Sequence, residues 1–91
     1  MNEVDDAVLE FFEVQEVGVA LPPTVVWYNL HERLKATDKS RTTIARRMRE
    51  LHERGLLSKA SEERGYYQIT QKGLNYLAGD LEADDLRLDD E

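Results

Sequence analysis

At Gly55 the spacing of apolar residues changes from that of a helix to that of a strand. The switch confines the chain to folds in which packed helices are followed by a hairpin. Before it, Ile44, Met48 and Leu51 recur at i, i+4 and i+7, a narrow helical stripe that Ser40 is placed to cap. After it, Leu56–Ala60 and Tyr66–Thr70 read as short strands, with Tyr67 and Ile69 alternating against Tyr66 and Gln68. Ser61-Glu62-Glu63-Arg64-Gly65 lies between them as a hairpin tip, and Gly55 suits the positive φ of a helix stop.

The flanking segments complete the order. Asn2–Gln15 reads as a helix, with Asn2 as its cap, Glu3, Asp5 and Asp6 at the positive end of its dipole, and Val4, Ala7, Val8, Phe11 and Phe12 on one stripe. Pro22-Pro23 starts a second helix that reaches Leu30 or Leu34, with Val26, Leu30 and Leu34 on one side and Trp27 beside them. A polar connector, Lys35–Lys39, leads to the third helix, about residues 40–54. Thr70 caps a last helix carrying Leu74, Leu77, Ala78 and Leu81. The expected fold is therefore mainly α with a small β-hairpin: a three-helix bundle, a two-stranded wing and a C-terminal helix, the winged helix-turn-helix order. Residues 1–81 make the domain and 82–91 an acidic tail. With 91 residues, 41% of them apolar, the chain builds one modest core and gains from a partner subunit.

Composition excludes several classes. There is no cysteine, hence no disulfide, thiolate metal site or thiol nucleophile. No apolar run approaches the roughly 18 residues of a membrane span, and the acidic start from Met1 to Asp6 is unlike a signal peptide, so a cytoplasmic protein is expected. No Gly-rich phosphate loop, Ser/His/Asp set or metal-ligand spacing is present, so no enzyme, metal, cofactor or small-molecule ligand is expected. His31 and His52 read as ordinary surface residues.

A net charge of −7 speaks against a nucleic-acid partner only while its distribution is ignored. Residues 1–32 hold seven acids and no Lys or Arg. Residues 33–64 hold ten bases and five acids. Residues 65–91 hold Lys72 and Arg87 against seven acids. The excess positive charge thus coincides with the third helix and the hairpin, the two elements that this element order lays on DNA. With Ile44, Met48 and Leu51 turned inward, Thr42, Arg46 and Arg49 face outward, Ala45 lies at their edge, and Arg41 and Thr43 stand at the helix start. These six are the candidate base contacts, because an arginine fork pairs with guanine O6 and N7 while Thr and Ala methyl groups meet a thymine methyl. Lys39, Ser40, Arg47, Lys59 and Arg64 are the candidate backbone contacts. The alternative is a solvated face in which Arg46, Arg47 and Arg49 pair with Glu50 and Glu53.

The runs Leu21-Pro22-Pro23, Tyr28-Asn29-Leu30, Ser40 through Leu51, Gly55-Leu56-Leu57 and Tyr66 through Gly73 resemble the small winged helix-turn-helix regulators of haloarchaea, of the halophage phi-H repressor family. The likeness spans about residues 5–86, with a long connector from His31 to Lys39 as its departure. It implies binding of operator DNA to repress transcription. An acidic body around a basic reading surface fits work in molar salt, where long-range repulsion is screened.

Such regulators commonly read two half-sites as dimers, and Leu9, Phe12, Tyr76, Leu81, Leu86 and Leu88 are the candidate interface; the same residues could instead complete the monomer core. A rival use of the fold is a protein-contact module without DNA binding, with Trp27 and Tyr28 as its exposed residues, although Trp27 reads equally well as core.

Overall fold

The computed structural model of the chain describes residues 2–16, 18–61 and 63–79. Its elements are α1 (Glu3–Glu13), α2 (Pro23–Trp27) running into a π-helical segment (Tyr28–Arg33), α3 (Arg41–Glu53), β1 (Leu57–Ser61), β2 (Tyr66–Ile69) and α4 (Gln71–Leu77). This is the expected order: mainly helical, with one antiparallel hairpin, a winged-helix arrangement. Leu81, Leu86, Leu88 and the acidic 82–91 segment lie outside the described residues.

α1, α3 and α4 each begin where a side chain takes up a free backbone N–H. Asn2 and Asp5 cap α1 reciprocally: the Asp5 amide donates to Asn2 Oδ1 at 2.9 Å and the Asn2 amide to Asp5 Oδ2 at 3.4 Å. Ser40 Oγ accepts from the Thr43 amide, and Thr70 Oγ1 from the Gly73 amide. Pro22 and Pro23 start α2 without a side-chain cap. Gly55, at φ +85°, ends α3 and lets the Leu56 amide turn back to the Leu51 carbonyl at 2.9 Å.

The core joins Val4, Val8, Leu9 and Phe12 of α1 to Val26, Leu30, the Ile44–Met48–Leu51 stripe, Leu56, Leu57 and Tyr67. Leu9 and Phe12, candidates for a dimer interface, are 0% and 2% exposed. They are not available to a partner, because α1 is covered by α3, α4, β2 and the π-helical segment and therefore buries more than one stripe.

The second helix departs from expectation. Beyond Trp27 its bonds run i→i+5, as from the Leu34 amide to the Asn29 carbonyl at 2.8 Å. The wider turns break the register that would have put Leu34 beside Val26 and Leu30. Leu34 caps the segment and is 60% exposed, and Lys35 follows at φ +52°.

The hairpin pairs Leu57 with Ile69, Ser58 with Gln68 and Lys59 with Tyr67, and a bulge then sets Ser61 opposite Tyr66. Leu21, just ahead of the proline pair, bridges the far side of Tyr67 through two backbone bonds of 2.8 and 2.9 Å. The entry to α2 is thereby tied to the hairpin. Thr70 Oγ1 donates to the Gly55 carbonyl at 2.7 Å, and its amide to that of Leu56 at 3.1 Å, which joins the end of β2 to the end of α3.

Candidate nucleic-acid interface

The inward face of α3 consists of Ile44, Met48 and Leu51, all 0% exposed. Helical geometry then turns Thr42, Arg46 and Arg49 outward, and all three are exposed, as is Arg41 at the helix start. Ala45 and Thr43 are half-buried at the edges. Arg41, Arg46 and Arg49 make no side-chain hydrogen bond or ion pair among the described residues. Glu50 lies 4.0 Å from Arg54, one helical turn on, and not against Arg46 or Arg49. Three guanidinium groups with the Thr42 hydroxyl thus share a surface on which no carboxylate of the described residues pairs with them.

Arg47 is the exception. Its Nε and Nη2 donate to the two carboxylate oxygens of Asp5 at 2.8 and 2.7 Å, a planar two-point pair between α3 and α1. Asp5 is fully buried, and the Asn2 amide shares its Oδ2. The hydrogen bond to Asp5 raises the Arg47 guanidinium above its ordinary pKa; burial opposes this, and the charges of Asp5 and Glu50 add to the rise. As a backbone contact, Arg47 is therefore corrected: its fork is consumed by a buried acid that must be paired.

The start of α3 is held by packing from behind. Trp27 Nε1 donates to the Lys39 carbonyl at 3.2 Å, and the indole stacks on His31 at 5.1 Å between ring centroids. The connector is thus pinned one residue before the Ser40 cap. Ser40 Oγ also donates to Thr43 Oγ1 at 3.2 Å, so both hydroxyls close the helix start. Lys39 is exposed. At the far end, Lys72 Nζ donates to the Arg54 carbonyl at 3.1 Å, a cation on the negative end of the helix dipole.

On the hairpin, Arg64 is exposed at the tip, with its amide donating to Ser61 Oγ at 3.3 Å. Lys59 is half-buried, with Nζ 6.0 Å from the centre of the Tyr67 ring. Glu63 is exposed beside Arg64, and Glu62 lies outside the described residues.

A profile of the family described as winged helix-turn-helix phage repressor matches residues 1–89. The chain belongs to that family. As a winged helix-turn-helix phage repressor domain it falls in a class of DNA-binding regulators and not of enzymes. Comparison with curated proteins and with solved structures gave no match. No helix among the described residues is long and apolar enough to cross a membrane.

Several contacts of this repressor domain had no sequence signal of their own. Asp5 reads as a dipole-compensating acid, and nothing local shows that it pairs 42 positions away. His52 is no ordinary surface residue: its ring N–H at Nδ1 donates to the Leu57 carbonyl at 3.2 Å, and its edge meets Tyr67 at 6.0 Å. His31, stacked on Trp27, also lies 2.9 Å from Glu32 Oε2.

Proposed function

We propose that this protein is a sequence-specific repressor that binds double-stranded DNA as a homodimer. α3 lies in the major groove with its N-terminal half toward the bases, and the hairpin runs beside the backbone. Arg46 and Arg49 are the principal base contacts, with Arg41, Thr42, Thr43 and Ala45 around them; Lys39, Ser40, Lys59 and Arg64 contact phosphates. The observation that carries this reading is the division of labour among the arginines. Arg47 is engaged inside the protein, while Arg46 and Arg49 are exposed with no ion pair to a carboxylate among the described residues.

The acidic remainder of the surface suits an archaeal cytoplasm at molar salt, and the phi-H-like runs point to haloarchaea. In such salt, phosphate attraction is weak, so the affinity rests on direct base contacts and on pairing of two chains. Mobility shifts at molar potassium chloride, using duplexes selected from a random pool, test the proposal. Selection of a defined sequence with two-fold symmetry is the expected outcome. Failure to retain any duplex at any salt concentration would leave the protein-contact reading, which the exposed Tyr28 and Val25 on the second helix favour.

A further inference from the structure

Residues 35–39 join the second helix to α3, and none of them is buried. Ala36, Thr37, Asp38 and Lys39 line a cleft of about 510 Å³ that is also lined by Glu3 and Val4 of α1. Burial therefore does little to fix this connector, and hydrogen bonds must do it. At its start the Ala36 amide donates to the Leu30 carbonyl at 2.7 Å. At its end Trp27 Nε1 donates to the Lys39 carbonyl at 3.2 Å. Among the described residues, this is the one hydrogen bond that a side chain of another element makes to the connector.

The donor is itself held in place. The Trp27 indole packs half-buried against the core, and its plane lies within 22° of the His31 ring stacked on it. It rides on α2, whose entry is tied to the hairpin by the paired backbone bonds of Leu21 and Tyr67. The acceptor, in contrast, precedes the least supported part of α3. From Ile44 onward that helix is fixed by Ile44, Met48 and Leu51, all 0% exposed. Its first turn, Arg41 to Thr43, contains no buried residue. Where Arg41 and Thr42 stand is thus decided by the Ser40 cap and by the carbonyl just ahead of it.

We propose that Trp27 is a positioning residue for base recognition. Its indole N–H sets the Lys39 carbonyl, and through it the Ser40 cap and the first turn of α3, so that Arg41 and Thr42 meet their base pairs. Arg49 lies beyond the Ile44 contact and does not depend on it. Without the bond the connector gains freedom that binding must remove, so the loss appears in affinity at particular base pairs. The inference deepens the DNA reading above and rests on it.

Two changes at position 27 test it. Trp27→Phe keeps a ring for His31 to stack on but has no donor. A chain synthesised with benzothienylalanine at position 27 keeps the size and shape of the indole and lacks only its N–H. Both are titrated with a duplex selected by the parent chain, with each base pair varied in turn, and urea unfolding checks the fold. Each is expected to bind about three- to tenfold more weakly, the effect of one lost hydrogen bond. Preference should relax at the base pairs that Arg41→Ala and Thr42→Ala also relax, and persist where Arg49→Ala relaxes it. Parent-like affinity and preference in the benzothienylalanine chain overturns the proposal, whether or not Trp27→Phe folds. So does equal weakening at every base pair, which is what a merely structural loss would give. A parent chain that selects a duplex, with the two altered chains matching it, sinks the role of Trp27 alone; a parent chain that retains no duplex sinks the DNA reading and this role with it.

Discussion

Arg47 on α3 holds Asp5 on α1 by two parallel hydrogen bonds, 2.8 and 2.7 Å long, with the carboxylate wholly inside the protein. Removing one partner leaves the other buried and unpaired. Asp5→Ala or Arg47→Ala is therefore expected to cost about 3 kcal/mol, and exchange of both for apolar residues of similar volume much less. Urea unfolding of the single and double variants checks this; equal losses in single and double variants would contradict it. Duplex affinity per folded molecule should be unchanged in Arg47→Lys, since the guanidinium faces inward.

α4 approaches the hairpin so closely that only glycine fits at position 73. A Cβ there would lie 2.5 Å from the Leu56 carbonyl oxygen and 2.8 Å from Ile69 Cγ1. The oxygen is backbone and is already bonded to the Thr70 amide at 3.1 Å, so it cannot yield alone. Gly73→Ala is expected to destabilise the fold by about 1–3 kcal/mol despite the better helix propensity of alanine. A stabilised variant in thermal unfolding would refute the packing.

Tyr76 donates its hydroxyl to Asp6 Oδ1 at 2.8 Å. Burial, then this hydrogen bond, then the charges of Asp6 and Asp5, push its pKa up to about 12. The pKa of the folded state lies above the ordinary value of about 10. The neutral phenol therefore contributes stability that is complete below that pH and is lost as pH rises through about 12. The stability difference between the parent and Tyr76→Phe should be constant below the lower value and shrink above it. Alkaline urea titrations measure it, and a difference independent of pH would contradict the contact.

How far these contacts could be read in advance depended on their range along the chain. α3, its Ser40 cap, its Gly55 stop and its buried triplet were legible because each is a signal within one or two turns. So was the outward set of Thr42, Arg46 and Arg49, which follows from the triplet by rotation alone. Arg47 was misassigned because a wheel shows that it lies on the flank but not that Asp5 waits there. Leu34 was misplaced because the π-helical turns are a backbone choice with no composition of their own. Leu9 looked spare because it lies off the stripe of Val4, Val8 and Phe12, whereas α1 packs against α3, α4, β2 and the π-helical segment; Phe12, on that stripe, belongs to the core for the same reason. The single bridge of Leu21 to Tyr67 is too short to show any alternation.

With Arg47 withdrawn, the candidate phosphate-contacting cations in each chain are Lys39, Lys59 and Arg64. The logarithm of affinity should then fall against the logarithm of salt with a slope of about −3 per chain. Arg64→Ala should reduce the slope by about 1 and weaken all duplexes alike. A slope several times steeper, measured by titration across potassium concentrations, would show that many more cations reach the backbone.

The most direct test of the account is the affinity of Arg46→Ala and Arg49→Ala for a duplex selected by the parent chain, compared at each base pair. Each substitution is expected to cost about 1–3 kcal/mol and to relax the preference at one or two positions only, with the fold unchanged. Unaltered affinity and preference in both variants would contradict the claim that the outward face of α3 reads DNA.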